Sequence, residues 1–225
     1  GPRSRRRLRW IAVLATVTLL LAGVWFYQAY FSSTDAAIRH AEAFLFRRMS
    51  VSQLAEQGKY RFFFVTNREQ EGAGEKTPLL EQFGATRQEQ LTFGSFDATI
   101  QPSLGLGMLI NPTEWLQNEE IKLRKVRTLS RQELTDALRT KVGNSPHGAV
   151  LIALHGFREA YESALRKTAF LGHVLDVDAP VLLFDWPGNQ GSSLGGYRRA
   201  RAVAKDSGAE LAQTLEMVVR DVQPQ

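Results

Sequence analysis

Cysteine is absent from the sequence, which excludes disulfides, thiolate metal sites and a cysteine nucleophile. The compartment stays open, because oxidising surroundings permit disulfides without demanding them. Histidine is scarce, with four in 225 residues. His147 and His173 have neither a carboxylate nor a second histidine at ligand spacing, so no metal site is expected. Excess charge is also missing from the body of the chain. The formal +5 is carried by Arg3, Arg5, Arg6, Arg7 and Arg9, and the other basic residues balance 23 acidic ones. That leaves no basic stripe for a phosphate backbone, so nucleic acid is not expected as a partner. Gly188 to Gly196 is glycine-rich but lacks the Lys-Ser/Thr of a phosphate loop, and no cofactor is expected. No internal repeat or low-complexity tract interrupts the chain. Its 44% hydrophobic and 23% charged residues are the composition of a globular domain with room for a real core.

What the sequence does have is one long apolar run, Ile11 to Phe31, whose only amide is Gln28. At 1.5 Å per residue a helix of that length reaches roughly 30 Å, the thickness of a bilayer's hydrocarbon core. The five arginines before it would stay on the cytoplasmic side, and Trp25, Phe26, Tyr27, Tyr30 and Phe31 crowd the far end where aromatic belts sit. Residues 1–31 are therefore expected to be a basic N-terminus and single-pass anchor, with the lipid bilayer as partner and the following domain extracytoplasmic. A cleavable signal peptide has a shorter apolar core and small residues at its end, and a soluble helix would show a polar face. Gly1-Pro2 at the start and Gln225 with no closing element both read as cut ends.

Beyond the anchor, Asp35 to Gln57 has the apolar stripe Ile38, Ala41, Leu45, Met49 of an amphipathic helix, so residues 32–58 are expected to be a linker helix. Tyr60 to Asn67, Thr92 to Gln101 and Ile121 to Thr128 read as strands, and Glu69 to Lys76 as a charged loop. Ser130-Arg131-Gln132-Glu133 is a capping box opening a helix to Lys141, with Gly143 as its stop. The rhythm then becomes strand, helix, strand, helix. Ala149 to Leu154 is an unbroken apolar run expected to be buried on both faces, and Glu159 to Leu175 is an amphipathic helix. Val181 to Trp186 repeats the strand, and Tyr197 to Val222 repeats the helix. Such alternation means parallel strands joined by crossover helices in an α/β sheet.

In sheets of this kind, ligands gather at the carboxyl ends of the strands. His155, Gly156 and Phe157 end one strand here, and Asp185, Trp186 and Pro187 end the next. FFFVTNR (Phe62 to Arg68), LTFGSFDATI (Leu91 to Ile100), ALHGFREAYESAL (Ala153 to Leu165) and VLLFDWPGNQGSSLGGY (Val181 to Tyr197) follow one another in the chain. In that order they resemble the α/β-hydrolase-fold proteins of uncharacterised function grouped with the esterase/lipase superfamily. The resemblance runs from about Tyr60 to Val222, and HGF and FDWP are its most specific parts. It implies an incomplete α/β-hydrolase fold over residues 59–225, with a mixed, mainly parallel sheet behind a transmembrane helix. It also implies that the Phe157 N–H donates to an oxyanion hole, with Gly156 giving close backbone approach and His155 supporting the loop. Two positions depart from the family pattern. Arg158 stands where Asn is common, and the Asp usually found after the Gly-Tyr pair has no counterpart around Ala200.

A hydrolase of this fold orders its triad as serine elbow, acid, histidine. The chain's G-x-S-x-G match is Gly191 to Gly195, but the five residues Pro187 to Gly191 stand between the strand end at Trp186 and its first serine, and no histidine follows His173. Ser193 is thus not expected to be the nucleophile, and the triad is expected beyond Gln225. Asp185 is expected to cap the Pro187 to Gly196 loop, with a displaced triad acid or a ligand contact as the alternatives. Arg198, Arg199 and Arg201 read as a solvated helix face. The function these features imply is a membrane-anchored serine hydrolase acting on a small acyl or ester substrate. The alternative is a non-catalytic hydrolase-like interaction domain.

Overall fold

The computed structural model describes residues 14–25, 48–55, 58–71, 78–100 and 121–224. Aromatic and β-branched residues form β1 (Lys59–Gln70), which pairs antiparallel with β2 (Phe83–Ile100), and β2 pairs antiparallel with β3 (Ile121–Leu129). The capping box is present at the start of α1 (Arg131–Gly143). There Ser130 Oγ accepts the Glu133 N–H at 3.2 Å and the Glu133 carboxylate accepts the Ser130 N–H at 2.7 Å. Then follow β4 (Leu151–Leu154), α2 (Tyr161–Leu175), β5 (Val181–Asp185), α3 (Leu194–Asp206) and α4 (Gly208–Met217), which runs into a π-helical turn at Val218–Val222.

The sheet order is β3-β2-β1-β5-β4, with β5 parallel to both β1 and β4. Every strand except β2 therefore runs in one direction. Alternation along β1 divides the core into two layers. Phe62 and Phe64 face one way and pack with Tyr161, Ala164, Leu165 and Ala169 of α2. Phe63 and Val65 face the other way, with Leu134 and Leu138 of α1, Ala200 of α3 and Met217 of α4. The result is a mixed α/β sheet with helices on both faces, consistent with an α/β-hydrolase-like fold.

Four expectations need correction. The strand at Leu151–Leu154 is not buried on both faces: it is the outer strand of the described sheet, and Leu154 is 54% exposed. The last helix is not continuous, because it breaks at Ser207, whose Oγ donates back to the Val203 carbonyl at 2.8 Å and accepts from Asn67 Nδ2 at 2.9 Å. β2 begins at Phe83, well before Thr92, because the polar stretch that follows pairs with the end of β1. α1 is capped by Asn144 in right-handed conformation, with Gly143 its last residue and no left-handed turn.

Of the expected anchor, residues 14–25 are described. They are helical, with Leu14, Leu19, Leu20, Leu21, Val24 and Trp25 all exposed. Among the described residues no helix is long and apolar enough to cross a membrane, and the rest of 11–31 lies outside them. The expected linker helix lies outside the described residues up to 47, and its described part corrects it: after a short 3-10 turn at Arg48–Val51 the chain leaves helical conformation and Gln53 forms an antiparallel bridge to Tyr60.

Gly94 shows how tightly the sheet closes. It pairs across β1 with Phe64, and a Cβ there would stand 2.1 Å from Phe64 Cζ and 2.5 Å from the Arg127 carbonyl oxygen. Gly94→Ala is expected to cost about 1–3 kcal/mol in urea unfolding, from overpacking. Adding Phe64→Leu should recover part of that loss, and simple additivity of the two costs would show that the ring is not the obstacle.

Candidate functional site

The parallel strands β5 and β4 end side by side, with Leu154 paired to Phe184 and Asp185 to Thr66 of β1, which runs on to Gln70. Asp185 lies at their centre, fully buried. Its Oδ2 accepts Thr66 Oγ1 at 2.6 Å and Arg68 Nε at 2.7 Å, and its Oδ1 lies 2.9 Å from His155 Nε2. Burial alone would raise the carboxyl's pKa. The His155 hydrogen bond and the Arg68 charge outweigh that and hold it below the ordinary carboxylate value. Asp185 is thus the partner of a buried arginine, and the expectation that it caps the following loop is corrected.

Arg68 is fully buried and uses every N–H it has. Besides Nε to Asp185, Nη1 donates to the Gly84 carbonyl at 2.8 Å and Asn189 Oδ1 at 2.7 Å. Nη2 donates to the carbonyls of Glu159 at 2.9 Å and Trp186 at 2.7 Å. One side chain on β1 thereby fixes the start of β2, the end of β5, the loop after it and the approach to α2.

His155 transmits this to the turn. Its ring is 3% exposed and stacks on Trp186 at 5.4 Å and 5°. Trp186 Nε1 donates to the His155 carbonyl at 3.1 Å. Nδ1 lies 2.9 Å from the Gly156 carbonyl oxygen, which only accepts, so Nδ1 carries a proton. Nε2 faces both Asp185 Oδ1 and, at 3.1 Å, the Trp186 N–H. A cationic ring donates to the carboxylate; a neutral one accepts from Trp186.

The turn itself is an exposed rim. Gly156 and Arg158 are exposed, and a Cβ at Gly156 would meet nothing within 4 Å. Arg158 sits at φ 72°, a left-handed conformation in which Asn is tolerated better than Arg, and its N–H donates to the Gly188 carbonyl at 2.8 Å. Gly188 is required on the other side, since a Cβ there would stand 2.9 Å from the Gly156 oxygen. The Phe157 ring is half-buried, edge-on to Tyr197 at 5.4 Å. The Phe157 N–H lies in the turn before α2 and has no hydrogen-bond partner among the described residues. The clefts of about 720 and 660 Å³ beside Arg61 are lined by no residue of this turn.

Ser193 is the N-cap of α3, its Oγ accepting the Gly196 N–H at 3.1 Å. Arg198, Arg199 and Arg201 are exposed on α3, with Arg199 Nη2 donating to the Gln190 carbonyl at 2.9 Å. Among the described residues no group of three His, Asp or Glu side chains could hold a metal. The residues the sequence reading gave no role are Thr66 and Arg68. The available signal was a charged residue closing an otherwise buried aromatic strand.

Residues 130–225 match the family model DUF900, described as an alpha/beta hydrolase of unknown function. No curated protein and no solved structure gives a match. The matched region contains the 155–158 turn and Asp185, whereas Thr66 and Arg68 lie upstream of it.

Arg68→Met would leave Asp185 charged, buried and without its cation, and is expected to cost about 3–5 kcal/mol in chemical denaturation. Arg68→Lys should not restore it, since an ammonium cannot reach all the acceptors of the guanidinium fork. Asp185 binds its proton more weakly folded than unfolded. Its contribution is therefore complete above the ordinary carboxylate range and is lost as pH falls through that range toward the lower folded value. Asp185→Asn should flatten this acid limb of the stability profile.

Proposed function

We propose that this chain carries one side of the active site of a membrane-anchored serine hydrolase of esterase or lipase type, acting on an acyl or ester substrate outside the cytoplasm. The observation that supports it most is the Phe157 N–H, without a hydrogen-bond partner among the described residues, in an exposed turn at the carboxyl edge of parallel strands and braced from below by Arg68, Asp185 and His155. The family match over residues 130–225 is in line with a hydrolase-like fold.

In this reading a serine attacks the carbonyl carbon of the ester, and the charge that builds on its oxygen is met by the Phe157 N–H. Each such donor contributes about 2.7–4 kcal/mol to the transition state. Gly156 keeps the approach to that amide clear of a Cβ. His155, engaged on both ring nitrogens, positions the turn and takes no proton from the nucleophile. Ser193 serves as a helix cap, so the reading requires a serine elbow, an acid and a base from elsewhere in the full protein. The tether is proposed from the apolar run 11–31 and the arginines before it.

A second reading, a non-catalytic hydrolase-like domain displayed at the membrane for a partner, is favoured by one feature. Arg158 holds a strained left-handed conformation directly beside the proposed donor, at a position where the resembled family commonly carries Asn. Labelling separates the two. Full-length protein from its source membranes should react covalently with a fluorophosphonate probe, and lack of reaction despite a serine elbow would favour the second. Gly156→Ala should leave unfolding unchanged, because its Cβ meets empty space, while lowering ester hydrolysis about 10- to 100-fold by obstructing the donor. Unchanged hydrolysis would remove the turn from the active site.

A further inference from the structure

The sheet face that carries Phe63 and Val65 under the helices changes character toward the start of β1. Its next residues on that face are Arg61 and Lys59. Register pairs Arg61 with Asp97 and Asp97 with Arg124, and pairs Lys59 with Thr99 and Thr99 with Lys122. Two cross-strand rows rich in cations thus lie side by side. A bulge opposite Phe96, with Lys125 at φ 45°, turns Lys125 toward the same cleft, which has a volume of about 660 Å³. Among the described residues Asp97 is the single acid lining it, and Arg61 already binds it at 2.7 and 3.0 Å. Lys122, Arg124 and Lys125 are exposed and form no ion pair among the described residues. The body as a whole is neutral, so this excess is local and is offset by acidic residues elsewhere in the sequence.

We infer that this face seats the anionic headgroups of a phospholipid bilayer. For its nearness to the bilayer the inference rests on the tether in the proposed function. Leu54 and Ala55, from the segment that follows the apolar run, line the same cleft. Charge complementarity selects the occupant. Each cation held against an anionic bilayer adds about fivefold to the local association. The effect fades beyond a Debye length of about 10 Å at 0.1 M salt, so only side chains on the face itself contribute.

The test uses the full chain incorporated into vesicles of phosphatidylcholine alone or of equal parts phosphatidylcholine and phosphatidylglycerol. Amine-modification rates at Lys122 and Lys125 are read by mass spectrometry, with exposed Lys205 on α3 as reference. Phosphatidylglycerol is expected to slow both lysines about fivefold relative to Lys205, with the difference vanishing near 1 M salt. Arg124→Gln should reduce the protection. Carbonate washing reports the tether separately. Protein retained on the vesicles with equal lysine rates in both lipids overturns the headgroup face and leaves the tether. Protein stripped by carbonate that still shows phosphatidylglycerol-dependent protection overturns the tether and keeps the face. Equal protection by free inorganic phosphate over phosphatidylcholine overturns the lipid as occupant.

Discussion

The architecture at the carboxyl edge depends on one guanidinium taken completely out of water. Removing a charge from solvent costs several kcal/mol before any partner is found, and Arg68 recovers that cost only because each of its N–H groups meets an oxygen. Three of those oxygens belong to segments that no regular ladder joins, Glu159, Trp186 and Asn189, and a fourth, that of Gly84, to the start of β2. The arginine therefore sets the relative position of loops that hydrophobic packing alone would leave loose. Asp185 neutralises it and presents its other oxygen to His155, so the turn containing Phe157 inherits its placement from a residue on a different strand.

Much of the scaffold could be read from local pattern. β1, β5 and α1 announce themselves through aromatic density, a continuous apolar run and a capping box, and β3 through apolar residues spaced among charged ones, because these signals lie within a few residues of one another. The elements that misled are those decided by distant contacts. β2 begins in a polar stretch because β1 extends far enough to pair with it, and the last helix breaks at Ser207 because Asn67, far upstream, reaches its hydroxyl. The turn at His155 to Phe157 was visible as a motif. The network beneath it was not, since Arg68 and Asp185 stand 117 residues apart and an arginine at a strand end ordinarily signals a surface.

β1 links the two surfaces on which function has been argued. Arg68 lies near its carboxyl end and Lys59 at its start, about 30 Å apart at the rise of an extended strand. With the cationic face turned to headgroups, the Phe157 turn would open away from the bilayer toward water. A substrate would then arrive from solution, and the lipid contact would set orientation and leave the chemistry to the opposite edge. This arrangement suits a soluble ester better than one that must be lifted from the bilayer.

The bare flank of β4 has a consequence of its own. Its outer backbone groups have no ladder partner among the described residues, and Leu154 stands out beside them. An uncovered strand of this kind is a template for adding another. Produced by themselves, residues 59–225 would be prone to zip together flank to flank, so preparations of this piece should be kept dilute before any property is credited to the single molecule.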